Sequence, residues 1–141
     1  MQTILDLRNQ ASNFRYSSAA VDSKAHMSWY LNRIKTIDSE PIWIIYLESK
    51  SIGYVRFDKS TGDGRVFIVS IAINEAYQGL GIGKRSLQIS ISKIKLFEKN
   101  ITLQAKIHVE NKPSLSIFES VGFQKVSEFE NSFIILEKNI L

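Results

Sequence analysis

The sequence of 141 residues contains no cysteine. That excludes disulfides, thiolate metal sites and a cysteine nucleophile. It has no apolar run approaching the roughly 18 residues of a membrane span. Residues 1–7 carry Asp6 and no basic stretch, so the pattern of a signal peptide is missing. Lysine and arginine are dispersed, and the net charge of +4 gathers in no tail suited to nucleic acid. Repeats, linkers and low-complexity tracts are also absent. Proline occurs only twice, and each opens an element: Pro41 a strand and Pro113 a helix. What remains, 44% hydrophobic and 23% charged, is the composition of one globular domain over residues 1–141. A cytoplasmic protein is expected, monomer or homodimer, with no metal, membrane or nucleic-acid partner. The pI of about 9.3 suits a polyanionic small ligand.

The chain is organised around Arg65 to Arg85. Arg-Val-Phe-Ile-Val-Ser-Ile-Ala-Ile is rich in β-branched residues and predicts a strand buried on both faces. Gln-Gly-Leu-Gly-Ile-Gly-Lys-Arg follows after four residues and opens a helix. A glycine-rich turn between a strand and a helix N-terminus presents N–H groups in a concave array, and the helix dipole adds positive potential. Such a turn suits a phosphate or pyrophosphate. The dinucleotide pattern Gly-x-Gly-x-x-Gly fails, since its third glycine would fall at Lys84. The Walker pattern fails as well: its first glycine would fall at Gln78, and Arg85 stands where Ser or Thr must hold magnesium. Taken alone, the loop is equally compatible with a plain strand–turn–helix.

The rest reads in order as β, helices, β-β-β, α, β, α, β-β, a mixed α+β sheet. Gln2 to Leu7 predicts a short strand, and Arg8 to Val21 helix and loop. Asp22 to Ile37 predicts a helix, with Ala25, Trp29, Leu31, Ile34 and Ile37 as its stripe. Ile42–Leu47 and Ile52–Asp58 form a hairpin, and Lys59 to Gly64 turns into the central strand. The following helix spans about Ile82 to Glu98, with Leu87, Ile91 and Ile94 buried. Ile101 to Val109 alternates as a half-buried strand. A helix from Pro113 ends near Val121, where Gly122 supplies the left-handed position. Phe123 to Phe129 and Phe133 to Glu137 close as a hairpin.

Two segments together are specific. Gln78-Gly79-Leu80-Gly81-Ile82-Gly83 fits Gln/Arg-x-x-Gly-x-Gly/Ala. One helix and one strand later, Asn111, Ser114, Phe118, Gly122 and Phe123 stand as Asn-x-x-Ser-x-x-x-Phe-x-x-x-Gly-Phe. The pair resembles the acetyl-CoA loop and the Asn-x-x-Ala-x-x-x-Tyr-x-x-x-Gly-Phe segment of the GNAT superfamily of N-acetyltransferases. The resemblance implies a mostly antiparallel six- or seven-stranded sheet with helices on both faces. It implies a bulged central strand splayed from its neighbour, with unpaired main-chain groups on Ile71 and Ile73 to which the pantetheine arm pairs as a strand would. Ile71, Ala72, Ile73, Asn111 and Phe118 would line that arm. Gln78, Gly79, Leu80, Gly81, Ile82, Gly83 and Lys84 would hold the pyrophosphate, the glycines permitting close approach. Acetyl-CoA is then a co-substrate, and a free amine attacks its thioester directly in a ternary complex. The Ile73 N–H is the candidate donor to the thioester oxygen.

The chain departs from that pattern at Phe118, where many members have a tyrosine that protonates the leaving thiolate. Phenylalanine cannot do so. Ser114 or a water could serve, and a thiol with a pKa of about 8.5 is already a tolerable leaving group. Phe118 also reads as an aromatic packing the last helix on the sheet. For the base, Ser70, Asp58, Glu75, Glu110 and a water chain are candidates. On the acceptor side, where Ser17-Ser18 also lies, His26, Trp29 and Tyr30 with the upstream Arg8-Asn9 resemble members that acetylate nucleotide-linked amino sugars, and Trp29, Tyr30 and Arg56 would suit such a substrate by stacking and phosphate pairing. The same helix with its upstream Arg8-Asn9 is also similar to that of members acting on ribosomal-protein N-termini. Alternatives are transfer to small amines or a non-catalytic acyl-CoA-binding module.

Overall fold

The structure, a computed structural model, describes residues 4–6, 23–60, 62–129 and 131–141. The expectations for Arg8 to Val21, including Arg8-Asn9 and Ser17-Ser18, lie outside the described residues. The elements are α1 (Ser23–Ile34), β1 (Ile42–Leu47), β2 (Lys50–Lys59), β3 (Val66–Ile73), a 3-10 turn (Glu75–Tyr77), α2 (Ile82–Ile94), β4 (Ile101–His108), α3 (Lys112–Ser120), β5 (Gln124–Phe129) and β6 (Phe133–Ile140). Residues 4–6 are helical, not part of a strand, and Leu5 is buried.

The six strands order as β1-β2-β3-β4-β6-β5. All pairs are antiparallel except β3 with β4. That parallel pair holds only from Val66 to Ile68, against Thr102 to Gln104. Beyond it, β3 keeps β2 as far as Ile73, and β4 keeps β6 as far as His108. Each central strand stays with its outer neighbour, so the sheet opens between them.

No bulge accompanies this opening. The β2–β3 register runs unbroken from Gly53↔Ile73 to Lys59↔Phe67, and the irregular steps fall instead at Ile45/Tyr46 and Lys125/Ser127. The expected bulge in the central strand is therefore corrected.

Strand alternation assigns the two faces. Val55, Phe57, Phe67, Val69, Leu103, Ala105 and Leu136 meet Leu87, Ile91 and Ile94 of α2 and Leu115 and Phe118 of α3 in the main core. Tyr54 and Ala72 form a smaller cluster on the other face with Ile4, Ile42 and Ile44. Helix α1 lies on that second face, tied there by Arg33 to β2.

Helix α1 corrects the periodicity reading. Its buried residues are His26 and Arg33, with Trp29 and Tyr30 half-buried; Leu31, Ile34 and Ile37 are exposed, and the helix stops at Ile34. The sheet face it covers carries Arg56 and Asp58, and a polar helix face answers it. Helix α2 also ends earlier than expected, at Ile94. The strand β6 runs further, to Ile140.

Candidate active site

The 3-10 turn leads from β3 to the glycine loop, with Asn74 Oδ1 accepting from Ala76 N–H at 3.0 Å as its cap. Gly79 and Gly81 take φ of +77° and +79°, the left-handed region that glycine adopts freely. A Cβ on either would meet no atom within 4 Å, so the loop borders open space. Gly81 is the N-cap of α2 and offers no side-chain cap. The first N–H groups of a helix have no intrahelical partner. At α2 nothing from the cap residue fills them, and the first turn contains Lys84 and Arg85 but no acidic residue. Open space, uncapped donors and positive charge together fit a pyrophosphate.

Gly83 works differently. Its Cβ would fall 2.8 Å from Ile117 Cδ1 and 3.2 Å from Ile73 Cδ1. It lets α2 approach α3 and β3. Close approach of a ligand, expected at all three glycines, is not its reason.

A cavity of about 300 Å³ opens beside the loop, walled by Ile71, Ile73, Tyr77, Gln78, Gly79, Gly81, Gly83 and Lys84 on one side. Asn111, Pro113, Ser114, Ser116 and Ile117 wall the other. A second cavity, of about 380 Å³, fills the splay between Val69, Ser70 and Ile71 on β3 and Lys106, Ile107 and His108 on β4, with Phe118 and Phe133. Ile71, Asn111 and Ser114 wall both. They are two ends of one cleft that passes through the sheet, since Ser70, Lys106 and His108 alternate to the face opposite Ile71 and Ile107.

The β3 backbone is polarised by its pairing. Asn74 N–H donates to Ile52 O at 2.8 Å, and Ser60 N–H to Val66 O at 2.8 Å. By antiparallel alternation, Ala72 and Ser70 exchange hydrogen bonds with β2, and the polar groups of Ile71 and Ile73 point toward the splay. The expectation that these groups are unpaired needs correcting. Gln78 Nε2 donates to Ile73 O at 2.8 Å, and Ile71 is itself engaged. Ala72, expected at the arm, has its backbone turned to β2 and its side chain in the Tyr54 cluster. The side chains of Leu80 and Ile82 also stand outside the cleft; Leu80 is exposed.

Asn111 caps α3, its Oδ1 accepting from Ser114 N–H at 3.3 Å. Its amide nitrogen is the donor left for a ligand. Phe118 is 2% exposed and packs edge-on against Phe123 at 5.0 Å, so it is a core aromatic that also walls the cleft.

On the second face, His26 stacks on Trp29 at 5.3 Å, and the Arg56 guanidinium lies 5.5 Å from the Trp29 ring. Arg56 Nε donates to Asp58 Oδ2 at 2.8 Å, and Arg33 pairs with Asp58 Oδ1. Tyr30 makes no ring contact or hydrogen bond with this group among the described residues.

None of the carboxylates considered as bases, Asp58, Glu75 or Glu110, walls the cleft. Arg33, Lys106 and His108 were missed as site residues. Arg33 had a signal, since His26, Trp29 or Tyr30, and Arg33 share one helix face. Lys106 and His108 had only their alternation on β4.

Comparison with known proteins gives a match of residues 1–123 to the acetyltransferase (GNAT) family. An N-alpha-acetyltransferase of Sulfurisphaera tokodaii is 34% identical over 59 residues, covering 42% of this chain and 35% of the relative. This chain thus matches about a third of that relative's length. A spermine/spermidine N(1)-acetyltransferase of Bacillus subtilis is 24% identical over 136 residues, covering 90% of this chain and 83% of the relative. An N-acetyltransferase structure from Staphylococcus aureus superposes with a TM-score of 0.81 at 19% identity, over 98% of this chain and 91% of that one. A Salmonella typhimurium structure holding its cofactor acetyl-CoA superposes with a TM-score of 0.79 at 19% identity, over 98% and 87%.

Proposed function

The chain belongs to the acetyltransferase (GNAT) family, and from that premise we propose that its cleft moves an acetyl group from acetyl-CoA to a primary amine. One observation carries the reading: the uncapped N-terminus of α2 opens onto a cleft that crosses the sheet between β3 and β4. One substrate can enter from each face and the two meet in the middle.

Acetyl-CoA supplies an activated thioester. The N–H groups at the start of α2, with Lys84, receive the pyrophosphate. Ile73 walls only the glycine-loop end, so its N–H suits an amide of the arm; the thioester belongs nearer Ser114 and Phe118. The Asn111 amide nitrogen is a second donor to the arm. The Ser114 hydroxyl is the candidate relay to the departing sulfur, giving its proton as it takes one from water, and Phe118 contributes packing. Among the described residues no carboxylate walls the cleft, and His108 Nδ1 accepts from Glu110 N–H at 3.2 Å, which puts the proton of the neutral ring on Nε2. Water therefore takes the proton from the amine. With no cysteine to carry the acetyl group, the amine takes it directly.

A nucleotide-linked amino sugar is the finer acceptor reading, supported by Trp29 and Arg56 standing together. The named relatives are an N-alpha-acetyltransferase and a spermine/spermidine N(1)-acetyltransferase, neither of them named for a nucleotide-linked sugar. A non-catalytic acyl-CoA-binding module is the second reading, favoured by the missing hydroxyl at Phe118. Thermal shift with acetyl-CoA, then initial rates with both substrates varied, tests the first. Intersecting double-reciprocal lines are expected. Parallel lines or an isolable acetyl-enzyme would overturn direct transfer, and acetyl-CoA binding without CoA release for any amine would favour the module.

A further inference from the structure

We propose that the acceptor amine carries an anionic group, a carboxylate or a phosphate, received by the Arg56 guanidinium, and that the site rejects polycations; this rests on the acetyl-transfer reading above and narrows it. The starting point is the charge of the cleft. Among the described residues no aspartate or glutamate walls either end, and Lys84 and Lys106 do. No carboxylate among the described lining residues would pair with the cations of a polyamine.

The acid beside Arg56 is Asp58, and it is already used. Its two oxygens are divided between Arg33 and Arg56. Arg33 is 7% exposed, and its Nη2 donates to Phe57 O at 2.6 Å, so it is held behind the carboxylate. Two guanidiniums on one carboxylate leave a positive excess. Glu137, on the same sheet face, is hydrogen-bonded to Gln104 at 2.9 Å. Gln104 lies where β3 and β4 are still paired, at the closed end of the splay.

Arg56 is the outward member of the pair, with its side chain 25% exposed. Its register partner on β3 is Ser70, and Ser70 walls the cleft. Cross-strand partners project side by side on one face, so Arg56 stands next to Ser70 beside the mouth, without itself walling either cavity. Nε is spent on Asp58, and the Trp29 ring lies against the guanidinium. The terminal nitrogens then form a pre-oriented fork, the geometry that matches a carboxylate or phosphate. Across the mouth stand Lys106 and His108.

The test uses matched amines that differ by one anionic group: glycine and glycinamide, glucosamine and glucosamine 6-phosphate, with spermidine as the polycation. CoA release gives kcat/KM for each, on the wild type, Arg56→Gln and Arg56→Lys. An anionic member is expected to exceed its neutral partner by at least tenfold. The ratio should fall toward one in Arg56→Gln, through KM, and recover only in part in Arg56→Lys, which lacks the planar fork. The amino-acid and phosphate arms identify which anion is read. If no amine turns over, thermal stabilisation of the CoA complex by anionic members alone, lost in Arg56→Gln, supports the proposal. Equal stabilisation by neutral partners, none by any member, or faster transfer to spermidine than to the anionic amines overturns it. Absence of stabilisation by acetyl-CoA itself is a separate result, and it strikes the transfer reading instead.

Discussion

Gly83 and Ile117 are packed so closely that a Cβ on the glycine would fall 2.8 Å from Ile117 Cδ1. The third glycine of the loop is thus set by helix packing. Both neighbouring atoms, on Ile117 and Ile73, are ends of flexible side chains that can give way. Gly83→Ala gains helix propensity of up to about 1 kcal/mol, which offsets a small displacement. Its stability is expected close to wild type. Gly83→Leu overpacks the same space and should lose about 1–3 kcal/mol. Denaturant midpoints check both, and a Gly83→Leu protein as stable as wild type would remove the packing role.

Gly81 tests the ligand side of the same loop. Asn and Asp both tolerate the left-handed conformation, so Gly81→Asn and Gly81→Asp carry similar backbone strain and differ mainly in charge. Gly81→Asp is expected to bind acetyl-CoA at least tenfold more weakly than Gly81→Asn, a difference of about 1.4 kcal/mol. Calorimetry on the two folded variants reads it, and equal affinities would take the loop out of the pyrophosphate site.

Asp58 holds two arginines from different elements, α1 and β2. Removing one partner of a buried pair costs about 3–5 kcal/mol. Asp58 is 25% exposed, so solvent screens part of this, and about 2 kcal/mol is expected for Asp58→Asn. Acetyl-CoA affinity should hold within about twofold, near 0.4 kcal/mol, since Asp58 does not wall the cleft. A denaturation midpoint equal to wild type would show that the three side chains do not depend on one another. A folded Asp58→Asn that keeps its KM but loses about a hundredfold in kcat would restore Asp58 as the base.

Phe118 separates packing from chemistry. Phe118→Ala empties a fully buried position and should cost about 3–5 kcal/mol. Phe118→Tyr keeps the ring volume and adds one hydroxyl at the cleft wall, so stability should change by less than about 1.5 kcal/mol. Acetyl transfer should remain within about tenfold of wild type, equivalent to about 1.4 kcal/mol in barrier. A large gain in CoA release on adding the hydroxyl would mean that the natural chain lacks an acid it needs.

Much of this was legible before the fold was known. The left-handed Gly122, the glycine-rich turn at Gly79 to Gly83 and the strand–loop–helix order all depend on neighbours within a few residues, whereas Asn111, the cap of α3, reads from sequence only as loop. Short-range chemistry writes the first three into local sequence. The face of α1 was misread because periodicity finds apolar residues, and here the buried face is polar. What that face meets is decided by β2, 25 residues away from Arg33.

The sequence by itself determined a cysteine-free chain, a glycine-rich strand-to-helix turn and the order of elements that carries it. Only the tertiary structure decided where the sheet opens, because that follows from β3 and β4 each keeping a different neighbour. It also decided that Gln78 is committed to Ile73, that Asp58 is committed to two arginines, and that Lys84 and Lys106, and no acid among the described residues, wall the cleft. Such pairings are set by strand register and by side chains meeting across long sequence separations, which no local pattern records.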